Sequence, residues 1–133
     1  MRIVLDTNVL VSALWKPQGP PGILVRSLAD GRLQPVLSPV ILAEYREVLA
    51  RKRFGFDQGQ VARMLDFMRL IGLTVEGKAS GRRLPDPTDL PFLDAALEGG
   101  AVCIVTGNLK DFPAQACLPV KPMGPSDLLA HLG

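Results

Sequence analysis

Four carboxylates stand where a folding chain has least use for charge. Asp6 closes the apolar run Ile3-Val4-Leu5, and Glu44 interrupts the apolar stripe of a predicted helix. Asp89 opens another helix on its buried side, and Asp111 follows the run Val102-Cys103-Ile104-Val105. Taking an unpaired carboxylate out of water is expensive enough that such groups are normally paired or metal-bound. No Lys or Arg stands at pairing distance along the chain from the first three. If the fold gathers these acids they repel one another, and a divalent cation is the simplest remedy. Oxygen-only donors select a hard divalent ion. His131 and the cysteines Cys103 and Cys117 have no metal-ligand spacing, which excludes a zinc site of the usual kind.

Helical arithmetic sorts these acids from surface charge. In a helix over 39–52 the stripe is Ile41, Tyr45, Val48 and Leu49, with Glu44 on its margin and Arg46 and Glu47 elsewhere. In a helix over 89–98 the stripe is Phe92, Leu93, Ala96 and Leu97. Asp89 projects along it, whereas Asp94 and Glu98 fall in solvent. Plainer readings stand beside these. Asp89 is also placed to cap its helix, Glu44 to pair with Arg51 or Lys52, and Asp6 to serve a strand-end turn. The only two asparagines, Asn8 and Asn108, each lie just past a strand end next to these acids. Their amides suit either ligation or turn chemistry.

The elements that must position these groups alternate. Strands are predicted over 2–6, 33–37, near 73–75, over 102–106 and near 118–121. Helices are predicted over 7–14, 21–30, 39–52, 57–71 and 89–98, with a last one from Pro125. Ser38-Pro39 is an N-cap followed by proline at the first helical position, Asp57 is a further cap, and Gly31 is a stop. The stretch 76–88, bearing Gly and Pro, reads as a mobile loop. This alternation predicts an α/β layer structure with a mainly parallel sheet, formed by a single domain over 1–133. In such sheets sites gather at the carboxyl edge, where Asp6, Thr106, Asn108 and Asp111 fall.

Composition narrows the classes. The chain has 133 residues, 47% of them hydrophobic, and a mean hydropathy of +0.22. No apolar run nears the ~20 residues of a membrane span, so the excess apolar surface is expected in a subunit interface, a homodimer or higher homo-oligomer. No signal-peptide pattern opens the chain, and two reduced thiols fit a cytoplasmic protein. A net charge of +2 does not by itself announce nucleic-acid binding.

Four segments in order resemble one family. They are Leu5-Asp6-Thr7-Asn8-Val9-Leu10-Val11-Ser12; Ser38-Pro39 with Glu44; Asp86-Pro87-Thr88-Asp89 with Phe92-Leu93; and Val105-Thr106-Gly107-Asn108 with Asp111-Phe112. Together they resemble the PIN-domain ribonucleases, nearest to the bacterial and archaeal branch of toxin components of toxin–antitoxin systems. The resemblance implies a three-layer α/β/α sandwich with a mainly parallel sheet. It also implies an endoribonuclease whose acidic site uses Mg²⁺ or Mn²⁺ to activate water against an RNA phosphodiester, often as a dimer silenced by a cognate antitoxin. Asp6, Glu44 and Asp89 match the three family acids. Asn108 stands where many relatives carry Asp, leaving Asp111 as the nearby carboxylate, and Thr88 stands where close relatives often carry an acid. Thr106 matches the family hydroxyl after the strand.

On this reading Asp6 and Asp89 hold the main ion, while Glu44 with Asp111 or Asn108 act through waters or on a second ion. Asn8 and Thr106 support them. RNA needs cations at the rim, and Lys78, Arg82, Arg83 and Lys110 are the candidates, with Lys16 in the first loop. Two rivals remain: a PIN-like scaffold that binds RNA or protein without catalysis, favoured by Asn108 and Thr88, and a phosphotransfer domain. Asn8 counts against the second, standing where a second Asp would be expected.

Overall fold

Three consecutive strand residues, Ile3, Val4 and Leu5, are each no more than 1% exposed. Because successive strand side chains point to opposite faces, this requires cover on both sides of the sheet. A computed structural model describes residues 1–133 and supplies that cover. Strands β1 (Arg2–Leu5), β2 (Gln34–Leu37), β3 (Leu73–Thr74), β4 (Cys103–Val105) and β5 (Lys121–Met123) form one sheet in the order β3-β2-β1-β4-β5. Every pair is parallel, with Ile3 opposite both Pro35 and Cys103. Helices α1 (Thr7–Trp15), α2 (Pro20–Ser27), α3 (Pro39–Leu49), α4 (Gln58–Ile71), α5 (Leu90–Glu98), α6 (Ala114–Cys117) and α7 (Pro125–Leu132) complete a three-layer α/β/α sandwich. No helix is long and apolar enough to cross a membrane.

Local chemistry sets the helix starts. The Ser38 hydroxyl accepts from the Ile41 amide at 3.3 Å, and the Asp57 carboxylate accepts from Gly59 and Gln60. Gly31 turns the chain after α2 with φ +84°, a left-handed conformation that favours glycine. Between α1 and α2 the backbone approach is tight. A Cβ on Gly22 would lie 2.1 Å from the Pro17 carbonyl oxygen. Gly22→Ala should therefore lower stability by about 1–3 kcal/mol, read as a fall in urea midpoint at unchanged m-value.

Two expectations are corrected. The last strand is 121–123 rather than 118–121, because α6 and a turn occupy the preceding residues. The stretch 76–86 has no regular structure, yet it is tied down. Glu98 accepts from the amides of Gly77 at 2.9 Å and Lys78 at 2.7 Å, and Asp94 accepts from the Ser80 amide at 3.0 Å. These amides hold the Glu98 carboxyl below its ordinary range, the Lys78 amide most of all. Asp94 and Glu98 lie off the buried face of α5 as expected, and from there they anchor that loop.

Candidate active site: an acidic pocket at the carboxyl edge of the sheet

Asp6 leaves β1 at its carboxyl end, where its amide donates to the Val105 carbonyl at 2.9 Å. That bond sets Asp6 beside Thr106, which leaves β4 at the same edge. The Thr106 hydroxyl donates to Asp6 Oδ2 at 2.8 Å. Asp6 occupies the N-cap position of α1, yet its side chain makes no capping bond. Asp89 likewise precedes α5 without capping it, while Asp86 caps the short 3-10 turn Pro87–Asp89 that leads into α5, accepting from the Thr88 amide at 2.9 Å. Glu44 does not pair with Arg51, which bonds Glu47 at 2.9 Å instead. Glu44 accepts from the Thr7 hydroxyl, one residue beyond Asp6. The plain structural duties open to these acids in the sequence are thus carried by other residues or not at all.

The electrostatics are those of uncompensated charge. Burial pushes the Asp6 carboxyl up from 3.8 to about 6, with Glu44 and Asp111 adding repulsion. Burial first, then the charges of Asp6, Asp111, Asp86 and Glu44, push Asp89 up to about 7. Asp6 is only 6% exposed and Asp89 is half-buried, yet Asp89 rises further. The difference lies in the donors. The Thr106 hydroxyl and the Thr7 amide draw Asp6 down, and nothing comparable reaches Asp89. No Lys or Arg acts on either group. The four acids Asp6, Glu44, Asp89 and Asp111 therefore share one region and act on one another. No three of them close to ligand distance about one point. The donor set, all oxygen and net negative, fits a hard divalent cation.

A family model described as the PIN domain matches residues 2–110. The chain belongs to the PIN domain family. An uncharacterized protein of Methanocaldococcus jannaschii is 27% identical to this PIN domain over 112 residues, covering 81% of this chain and 71% of that protein. VapBC2 from Rickettsia felis, solved bound to a DNA fragment from its promoter, is similar with TM-score 0.61 and 20% identity, over 93% of this chain and 98% of the other. VapBC-1 from nontypeable Haemophilus influenzae is similar with TM-score 0.59 and 18% identity, over 95% and 99% of the two chains. At such identities these two likenesses concern the fold.

Around this pocket the PIN domain arranges its remaining polar groups unevenly. Asn8 Oδ1 accepts from the Gly107 amide at 3.1 Å, so Asn8 ties the start of α1 to the loop after β4. Asn108 Nδ2 donates to Asp111 Oδ2 at 3.2 Å, which turns the Asn108 side chain toward the acid beside it. Lys110 lies in the same turn and is exposed. Lys78 does not rim the pocket. It is fixed to Glu98 at the opposite end of α5, where Arg2 at the start of β1 bonds the Gly99 carbonyl. Arg82 spends its Nη1 on the carbonyls of Ala116 and Leu118, at 3.1 and 2.8 Å, and ties the loop to α6. Arg83 is exposed.

Two positioning groups are not evident from sequence. Tyr45, fully buried, donates from its hydroxyl to the Leu5 carbonyl and so pins the peptide that presents Asp6. Burial, then Asp6 and Glu44, push its phenol well above its usual range, which keeps it a neutral donor. Thr7 does the corresponding work for Glu44. The only available signal is adjacency: each lies next in sequence to an acid of the site.

Thr106→Val should remove the hydrogen bond that holds Asp6 charged. A hydrogen bond to a charged group contributes about 1.5–3 kcal/mol, so Mn²⁺ affinity should fall roughly tenfold or more, as read by calorimetric titration.

Proposed function

We propose that this PIN domain is a divalent-metal-dependent endoribonuclease and the toxin half of a toxin–antitoxin pair. The observation that carries the reading is the gathering of four acids at one sheet edge with no Lys or Arg drawing down Asp6 or Asp89. Asp6 and Asp89 would hold the ion, Mg²⁺ or Mn²⁺, with Glu44, Asp111 and the Asn108 carbonyl completing its surroundings directly or through water. A bound divalent ion supplies Lewis acidity, activating water and offsetting the charge that develops on a scissile phosphate.

The protein's own part is preparation. Thr106 and the Thr7 amide keep Asp6 ionised, the Thr7 hydroxyl orients Glu44, and Tyr45 fixes the backbone between them. Asp89 lacks such donors, so it holds a proton near neutrality until an ion displaces it. Thr88, where close relatives often carry an acid, keeps the pocket's charge down, which is expected to demand high Mg²⁺ or favour Mn²⁺.

Antitoxin partnership is supported by likeness of fold to the VapBC assemblies. Self-association is supported by exposed apolar side chains, Leu70 at 82% and Val40 at 56% among them. A cytoplasmic home fits two unpaired, buried thiols, Cys103 and Cys117. The second reading, a PIN scaffold without catalysis, is favoured by Asn108, which supplies an amide where an acid would strengthen the site. Cleavage of unstructured RNA, assayed with Mn²⁺ and with EDTA, separates the two: metal-dependent internal cuts support the nuclease, and their absence supports the scaffold.

A further inference from the structure

Trp15, the only tryptophan, ends α1 and is 60% exposed. It is not an isolated ring. Phe54 and Phe56, in the segment between α3 and α4, stack with centroids 5.3 Å apart and planes 8° apart. Trp15 stands beside that pair, at 5.7 and 6.4 Å and inclined by 78° and 84°. The three rings form one cluster, yet most of the Trp15 surface stays open to solvent. The Arg53 guanidinium lies 4.9 Å from the Phe54 centroid, a cation–π contact that steadies the stack.

Trp15 also borders a cavity of about 570 Å³ lined by Val11, Ser12, Lys16 and Pro20 and by neither phenyl ring. The charge here is positive. Lys16, Lys52 and Arg53 make no ion pair, Glu47 is neutralised by Arg51, and the Asp57 carboxylate is spent capping α4.

We propose that Trp15 is a stacking platform for an unpaired base of single-stranded RNA, with Lys16 and Lys52 meeting the flanking phosphates. The proposal rests on the ribonuclease reading and extends it to how substrate is held. Charge favours RNA over a protein partner, since an apolar protein contact gains nothing from three unpaired cations. Distance fits as well. Nine helical residues separate Asp6 from Trp15, about 13 Å, a distance that a short single strand spans. It exceeds a Debye length of about 10 Å at 0.1 M salt, so the repulsion of RNA by the acids is largely screened at this patch.

The sole tryptophan is its own probe. An unstructured oligoribonucleotide of about twelve nucleotides, long enough to span both places, is titrated into the intact protein in EDTA while Trp emission is followed. Saturable quenching is expected. Trp15→Ala should weaken binding, measured by anisotropy of the labelled RNA, by roughly tenfold or more, and Trp15→Phe should restore most of it. Lys16→Gln should lower the salt slope of binding by about one. With Mn²⁺ present, Trp15→Ala should raise KM more than it lowers kcat.

Emission indifferent to RNA, or Trp15→Ala binding RNA as the wild type does, overturns the proposal. So does a change of sedimenting mass on Trp15→Ala with RNA affinity intact, which would make the patch a contact between protein chains. Quenching without cleavage under any divalent metal would sink the nuclease and leave the subsite standing. Cleavage without quenching would do the reverse.

Discussion

Asp6→Asn should abolish metal-dependent RNA cleavage and, at the same time, raise the melting temperature of the metal-free protein near neutral pH. The two halves have one cause. The Asp6 charge is held in a buried, repelling place, its carboxyl raised from 3.8 to about 6. Neutralising it removes a destabilisation of about 3 kcal/mol at about pH 8, worth several degrees in a domain of this size. Asn keeps an oxygen to accept from the Thr106 hydroxyl, so the local structure survives. For cleavage the same change removes an anionic ligand, and a loss of a hundredfold or more is the expected scale for a group that holds the catalytic ion. A purely structural acid would lose stability and activity together. A gain in one with loss of the other is the signature of a site whose charge serves function rather than folding.

The metal-free wild type should grow less stable as pH rises from about 4 to about 7. Asp6 and Asp89 both have folded values above the unfolded 3.8, at about 6 and about 7. Between the unfolded and folded values the native state binds more protons than the unfolded chain, so stability falls with rising pH and levels off above about 7. Asp30, Asp86 and Glu98, whose carboxyls are held low, act in the opposite sense, on the acid side of that window. Melting followed from about pH 5 to about pH 8 should therefore decline, and millimolar Mn²⁺ should restore stability at the upper end far more than at the lower. A flat profile, or equal metal stabilisation at both ends, would contradict the account of the pocket.

Much of this was legible in the residues. The parallel sandwich follows from alternating elements, and the caps at Ser38 and Asp57 are where their types place them. The inward acids follow from stripes on helices. What could not be read is which acids are excused from capping. Asp86 and Asp89 are equally good caps by type, and only the folded chain shows Asp86 capping the 3-10 turn before α5 while the Asp89 side chain caps nothing. The last strand was misplaced because Lys121-Pro122-Met123 has little strand character. Proline is tolerated there because β5 is an edge strand. The anchoring of the 76–86 loop was invisible, since backbone amides leave no trace in side-chain pattern. Arg82 and Lys78 carry charge suited to RNA, and their attachments to α6 and Glu98 appear only on folding.

The most direct measurement is calorimetric titration of the metal-free protein with Mn²⁺ at about pH 6.5, repeated in buffers of different ionisation heat. At that pH Asp6 and Asp89 share protons that an incoming ion must displace. The expected result is binding that releases on the order of one proton, falls in proton yield toward about pH 8, and disappears in Asp6→Asn. Absence of heat at millimolar Mn²⁺, or binding that neither releases protons nor depends on Asp6, would contradict an anionic pocket built to be neutralised by a hard cation.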